Sequence, residues 1–318
     1  MRIFDVFNGD ADGICALHQL RLAEPAEAEL VTGVKRDIGL LARVPAGKGD
    51  RVTVLDVSLD RNRAALLEML ERGVQLRYFD HHYAGEIPRH PLLEAHIDTA
   101  RGVCTSLLVN RYLGGRFRAW AVVAAFGDNL DRSARELAAG LGLPQTDLEN
   151  LRVLGQGLNY NAYGETEADL VMPPAALYRT LDRYPDPLQF IEREPVCARL
   201  DAARRADMAA ARAVPARWSE GSAVMHELPD APWARRVGGS YANALAAEAP
   251  GKAVAMLVPG SAGGYVVSVR SPAGTALGAD DLCRGFPGGG GRRDAGGIDR
   301  LPESALEDFR RRFAEAFA

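Results

Sequence analysis

The first third of the chain alternates short apolar runs with amphipathic stretches. The runs "RIFDVFN", "AELVTGV", "RVTVLDVSL" and "QLRYFD" read as strands, while "ICALHQLRLA" and "RAALLEMLERG" repeat their apolar positions at helical spacing. Strands that are almost continuously apolar, with helices between them, are what a parallel sheet covered on both faces requires. From Asp131 to Pro215 the pattern changes to Ala, Leu, Arg and Glu at helical spacing, broken by "MPP" and "YPDP" and nearly free of β-branched runs. Beyond it, "SAVMHEL", "AVAMLVPG" and "GYVVSVRS" are strand-like again, and "ESALEDFRRRFAEAF" reads as a charged closing helix. The expected fold is α/β, with a mainly parallel-sheet domain over residues 1–130, a helical cap or connector over 131–215, and a smaller α+β domain over 216–318.

Composition narrows the setting. A length of 318 residues suits two domains, and 47% apolar with 25% charged residues is the make-up of a folded globular chain. The formal net charge of −4 argues against a surface that clamps long duplex nucleic acid, but leaves room for a small anion held by a local basic cluster. Cys15, Cys104, Cys197 and Cys283 show no C-x-x-C spacing and read as buried thiols, which fits a reducing compartment. The longest apolar run, "WAVVAAFG", is too short to cross a bilayer, and "MRIFDVFNGD" is too acidic for a secretory leader. A cytoplasmic protein without membrane contact is expected.

Candidate chemistry gathers where the strands end. Asp10 and Asp12 follow the first strand in "FNGDADG", Asp56 closes "VTVLD", and Asp80, His81 and His82 follow "LRYF". In an open parallel sheet the C-terminal strand ends form one edge, with ligands bound in the crevice there, so these groups should converge. Convergent carboxylates repel and are costly to bury unpaired, so a cation is needed to hold them. Carboxylate and imidazole without thiolate suit Mn²⁺, Fe²⁺ or Mg²⁺, and two ions sharing a bridging carboxylate would suit displacement at phosphorus. Asp10 alone could equally cap the helix that follows it; Asp12 is not explained that way. A calcium loop fails, because the position of its bidentate Glu is Gln19 and a strand, not a helix, precedes.

The ordered set "DADG", "LDVS", "DHH" and "FGDN" resembles the motifs of the DHH phosphoesterases, a superfamily of RecJ-type exonucleases, nano-RNases, cyclic dinucleotide phosphodiesterases, exopolyphosphatases and family II pyrophosphatases. The resemblance spans roughly residues 1 to 130. It implies two Mn²⁺ ions, or Mg²⁺ or another divalent metal, with Asp10 on one ion, Asp12 on the other, Asp56 bridging, and His81 and Asp128 completing the second site. It also implies that His82 faces the substrate phosphate and that Asp80 orients the histidine pair, the two catalytic groups outside the metal shell. Asn8 stands where many relatives carry His and RecJ-type enzymes Asp, so it is expected to be a weak ligand.

Further along, "GFPGGGGRRDAGG" resembles the glycine-rich motif of the DHHA1 domain, with Arg292 in place of its usual histidine and Ala295, Gly296, Gly297 in place of Ala-Ala-Gly. Backbone N–H groups of Gly289, Gly290 and Gly291, with the guanidinium groups of Arg292 and Arg270, would bind substrate phosphate. The expected activity is metal-dependent hydrolysis of phosphodiester or phosphomonoester bonds in short oligonucleotides or small phosphorylated nucleotides, and a homodimer is compatible with it. Tyr160, Tyr163 and Tyr241 are candidates to stack on a base. The rival functions are an exopolyphosphatase or pyrophosphatase, and a non-catalytic nucleotide or phosphate sensor.

Overall fold

Alternation along the first strand decides how the first unit packs. In β1 (Ile3–Asn8) the side chains of Phe4 and Val6 enter one apolar cluster and Phe7 enters another, so both faces of the strand are covered. The computed structural model describes Met1 to Ala318, and the chain divides into a first unit, Met1–Ala202, and a second, Ala203–Ala318. In chain order the first unit continues with α1 (Ala11–Ala23), β2 (Glu29–Gly33), β3 (Arg51–Leu55), α2 (Arg63–Glu71), β4 (Gln75–Asp80) and β5 (Leu93–Ile97). Helices α3 (Thr105–Tyr112), α4 (Arg118–Gly127), α5 (Asp131–Ala138), α6 (Gln145–Tyr160), α7 (Pro174–Leu181) and α8 (Pro187–Arg193) follow. Helix α9 (Pro195–Ala213) runs across the boundary.

All five strands are parallel and lie in the order β2-β1-β3-β4-β5. The chain leaves β1 for one neighbour and later returns to the other, so the order reverses between β1 and β3, and a crevice opens at their C-terminal ends. Edge strand β5 was not among the expected strands: its residues are half-exposed, and "LEAHI" lacks the continuous apolar run of its neighbours. Helix α1 is buried from Ala11 to Leu20, with Ile14, Leu17 and Leu20 in the same cluster as residues of α3, α4 and α6. The helical stretch beyond Asp131 extends that cluster: Leu151, Leu154, Leu158, Leu177, Leu181 and Phe190 all join it.

The second unit holds β6 (Ala216–Glu220), β7 (Ala223–Glu227), α10 (Pro232–Glu248), β8 (Ala253–Pro259), β9 (Tyr265–Arg270), α11 (Ala279–Arg284), β10 (Gly289–Arg292), β11 (Ala295–Leu301) and α12 (Leu306–Phe317). Its mixed sheet runs β10-β11-β9-β8-β7-β6, antiparallel except for the parallel pair β7–β8. Ala253, Ala255 and Leu257 on one face of β8 pack with Phe309, Phe313 and Phe317 of α12 and with α11. The fold class is therefore α/β with a smaller α+β unit. All four cysteines are unpaired, and three are buried. No helix is long and apolar enough to cross a membrane.

Helices α4 and α6 cross at glycines. A Cβ on Gly155 would strike the Val123 carbonyl oxygen, and one on Gly127 would lie 2.8 Å from the Gly155 carbonyl. Backbone cannot retreat as a flexible side chain can, so overpacking here forces the helices apart. Gly155→Ala should cost about 1–3 kcal/mol of unfolding free energy, read as a lower urea midpoint at unchanged slope; an unchanged midpoint would show that the crossing yields freely.

Candidate metal centre

The first carboxylates come from the turn between β1 and α1. Asp10 is the N-cap of α1: its Oδ1 accepts from the backbone N–H of Asp12 at 2.9 Å and of Gly13 at 3.1 Å. Capping uses one oxygen and leaves Oδ2 for another partner. Asp12, in the first turn, points across to a different helix, where its two oxygens accept from the N–H groups of Thr105 and Ser106, each at 2.7 Å. These are the first donors of α3, so the partial positive end of that helix neutralises Asp12. Neither Thr105 nor Ser106 was picked out from sequence, although the hydroxyl residues of "CTSLLV" opening an apolar run were a visible helix-start signal.

Asp56 follows β3 with φ of +59°, in the left-handed region, while its backbone N–H donates to Phe79 O of β4 at 3.0 Å. Asp and Asn tolerate that region better than most side chains, and such a conformation is held only where the surroundings fix it. Thr105 Oγ1 donates to Asp56 Oδ1 at 3.2 Å, joining the β3 end to α3. Asp80, fully buried at the end of β4, accepts through Oδ1 from His81 N at 2.9 Å and His82 Nδ1 at 2.7 Å. Its Oδ2 is buried without a partner.

His81 fixes the sense of the centre. Its Nδ1 lies 3.0 Å from Val103 O, an oxygen that only accepts, so Nδ1 carries the proton and the neutral ring presents the Nε2 lone pair elsewhere. Nε2 faces Asp56 Oδ1 at 3.3 Å and Asp12 Oδ2 at 3.9 Å. Groups facing one another in this way are relieved by a shared proton or by a cation placed among them. The donor set of Asp56, His81 and His82 lies within 4.8 Å, and its nitrogen and oxygen chemistry fits a divalent ion such as Mn²⁺ or Mg²⁺. His81 held by a backbone carbonyl and His82 held by Asp80 are the outer contacts that metal-site imidazoles ordinarily have.

A cation of the protein itself also enters the cluster. Lys35, two residues past the end of β2, places Nζ in an ion pair with Asp10 Oδ2, 3.2 Å from Asn159 Oδ1 and 3.7 Å from Asp128 Oδ1. It lies 5.7 Å from the centre of the Tyr163 ring. Asn8, at the end of β1, sends its amide nitrogen to Lys35 O at 3.2 Å, and its oxygen lies 3.3 Å from Asp10 N. Lys35 and Asn159 were absent from the sequence-level candidates. The signal for Lys35 was the end of "LVTGV" itself, which lies on the same sheet edge as the other strand ends.

Burial, followed by the charges of Asp12, Asp10 and Asp128, pushes the Asp56 carboxyl well above the usual range. Asp128, the residue that ends α4, is pushed up to about 6 by burial against the pull of Lys35. Burial would raise Asp10 as well, but the charge and hydrogen bond of Lys35 hold it below the usual value. For Lys35 burial opposes the charge, and the pairing with Asp10 outweighs it, so its pKa rises. Burial likewise opposes charge on His82, and Asp80 outweighs that to raise the imidazole.

The second-unit candidates lie on one strand row. Pairing sets Arg270 of β9, Ala295 of β11 and Arg292 of β10 side by side, so the two arginines share a row with backbones about 10 Å apart. Arg270 is held by Asn243 Oδ1 at 2.5 Å and Gly239 O at 3.4 Å, both on α10, while Arg292 is exposed. Gly289, Gly290 and Gly291 belong to strand β10 rather than to an open loop; a Cβ on Gly289 would strike Cys283 O of α11. Tyr160 and Tyr241 are buried in packing, and only Tyr163, beside Lys35, reaches the centre.

No protein-family model matches the chain, and no curated protein matches it in sequence. Solved structures do match. Exonuclease RecJ bound to manganese aligns with a TM-score of 0.65 at 20% identity, over 99% of this chain and 89% of that one. RecJ from Thermus thermophilus in complex with Mn²⁺ gives 0.60 at 18% identity over 99% of this chain, which spans only 51% of that protein. The pGpG-specific phosphodiesterase PggH from Vibrio cholerae gives 0.55 at 13% identity, over 99% and 98% of the two chains. The chain shares the fold of these structures.

Metal-free protein should carry the cost of its own charges. Asp128 keeps its proton to about 6 when folded, against the ordinary value of 3.8, so between these values the folded state binds more protons and stability falls as pH rises. In EDTA, Asp128→Asn should therefore exceed wild type by about 1–3 kcal/mol above pH ~7, with the difference vanishing below pH ~4. Equal urea midpoints at both pH values would show that the carboxylate is not strained.

Proposed function

We propose that the protein is a divalent-metal-dependent phosphoesterase acting on short oligonucleotides or small phosphorylated nucleotides. The observation that carries this is the convergence of His81 Nε2, its tautomer set by Val103 O, with Asp56 Oδ1 and Asp12 Oδ2 at the switch point of a parallel sheet. A divalent ion bound there would supply a water of lowered pKa and positive charge for a phosphoryl oxygen. Asp12, Asp56 and His81 would hold it, with Asp10, Asp128 and Asn8 alongside.

The chain's own groups do the remaining work. Asp80 binds His82 through Nδ1, which leaves Nε2 as the donor for a phosphoryl oxygen on the half-exposed side of the ring. Asp80 raises the imidazole, and in the charged form its Nε2–H would be a charge-assisted donor to that oxygen. In the second unit, Arg270 and Arg292 form a cationic row suited to an anion. A nucleotide substrate is favoured over polyphosphate because the similar folds include an exonuclease and a phosphodiesterase specific for pGpG.

The test is turnover with Mn²⁺ on a labelled dinucleotide, a pentanucleotide, a cyclic dinucleotide, 3′-phosphoadenosine 5′-phosphate and polyphosphate. Asp56→Asn serves as control, because Asn keeps the left-handed backbone that Ala would strain. Hydrolysis of a short oligonucleotide, lost in the variant, is expected. Release of phosphate from polyphosphate alone would move the assignment to an exopolyphosphatase, and binding without turnover of any member would make the protein a sensor. Asp80→Asn, which keeps an oxygen for His82 Nδ1 but removes the charge that raises the imidazole, should lower turnover by about 10–100-fold while leaving the fold intact by circular dichroism; full activity would show that the reaction does not need that charge.

A further inference from the structure

Two regions of the acidic cluster differ in what they already contain. Around Asp12, Asp56 and His81 the donors include the α3 backbone N–H groups and the Thr105 hydroxyl, His82 Nδ1 lies 3.9 Å from Asp56 Oδ1, and no ion pair joins the three to a lysine or arginine. Around Asp10 and Asp128 the ammonium of Lys35 is already seated. It bonds Asp10 Oδ2 and Asn159 Oδ1 and faces Asp128 Oδ1, three oxygens of the kind a hard cation takes.

The seat is built rather than incidental. The backbone of Lys35 is fixed at both ends, by its N–H to Ala162 O at 2.9 Å and by its carbonyl to Asn8 Nδ2 at 3.2 Å. Asn8 thereby ties the end of β1 to the segment after β2, and Asn159 is carried to the ammonium by α6 through the glycine crossing with α4. Composition adds an independent point: only three of the 38 basic residues are lysines, Lys35, Lys48 and Lys252. A chain that uses arginine almost everywhere places at this spot the side chain whose charge is compact and nearest in shape to a bound ion.

We propose that the centre takes one resident divalent ion, at Asp12, Asp56 and His81, and that the Lys35 ammonium stands in the place of a second, held by Asp10, Asp128 and Asn159; this rests on the metal-dependent assignment above. Lys35 is then a positioning residue. It neutralises Asp10 and Asp128, fixes their orientation beside the ion, and keeps another divalent ion out by like charge. Asn8 acts as the clamp that aligns Lys35.

Equilibrium dialysis of the full chain against Mn²⁺, with metal analysis and electron paramagnetic resonance, tests this without reference to turnover. Wild type should bind one ion per chain and give the resolved hyperfine pattern of an isolated Mn²⁺. Lys35→Ala should bind two and show the broadened spectrum of a coupled pair. Two ions in wild type would overturn the proposal while leaving the phosphoesterase assignment intact; no ion in wild type would overturn both. A single ion in folded Lys35→Ala would show that Lys35 occupies no ion's place. Should that variant not fold, the wild-type stoichiometry and spectrum decide by themselves, and Lys35→Arg is expected to keep the single ion.

Discussion

Four carboxylates at one sheet edge repel one another, and the architecture around Asp10, Asp12, Asp56 and Asp128 can be understood as a set of separate answers to that repulsion. Asp10 is answered by the start of its own helix and by Lys35; Asp12 by the start of α3. These answers come from elements far apart in sequence. That is why the helical layer must pack as closely as the glycine crossing allows, since α6 carries Asn159 and α4 ends on Asp128. Asp56 receives the Thr105 hydroxyl but no ion pair with a lysine or arginine, and burial and its neighbours' charges push it well above the usual carboxyl range. The unanswered charge sits where an external cation would act, so structural need and chemical use fall on the same atoms.

Much of this was legible in the chain before any coordinates. Parallel strands are read from continuous apolar runs, and their C-terminal ends share an edge by the geometry of the sheet. Asp10, Asp12, Asp56, Asp80, His81 and His82 could therefore be gathered from separate stretches. Of the readings weighed for Asp10, the cap is seen: one oxygen caps α1, and the other pairs with Lys35, which no reading of the sequence included. Lys35 belongs to no motif in the sequence, although the strand before it ends at the same edge. Thr105 and Asn159 were out of reach for a different reason. They act through the positions of whole helices, and no local periodicity states which helix end will face which strand end.

The glycine-rich stretch gave a mixed outcome of the same kind. Its residue types pointed to close backbone approach, and the approach is real, but in β10 the nearest partner is the α11 backbone rather than open space for a ligand. What the register of that unit does show is two arginines set across a small residue on one row. Register is fixed by a whole sheet, so a short motif read alone could not supply it.

The left-handed backbone at Asp56 has a consequence for how such a chain can change over generations. Only Gly, Asn and Asp enter that conformation at little cost. Of these, Asn is the near-isostere of what is there, and it removes the charge while keeping the backbone and the size. The route by which this centre most readily loses its chemistry is therefore one that spares the fold. A descendant that took it would persist as a well-packed protein with its crevice, its Lys35 seat and its arginine row intact, available for selection as a binder.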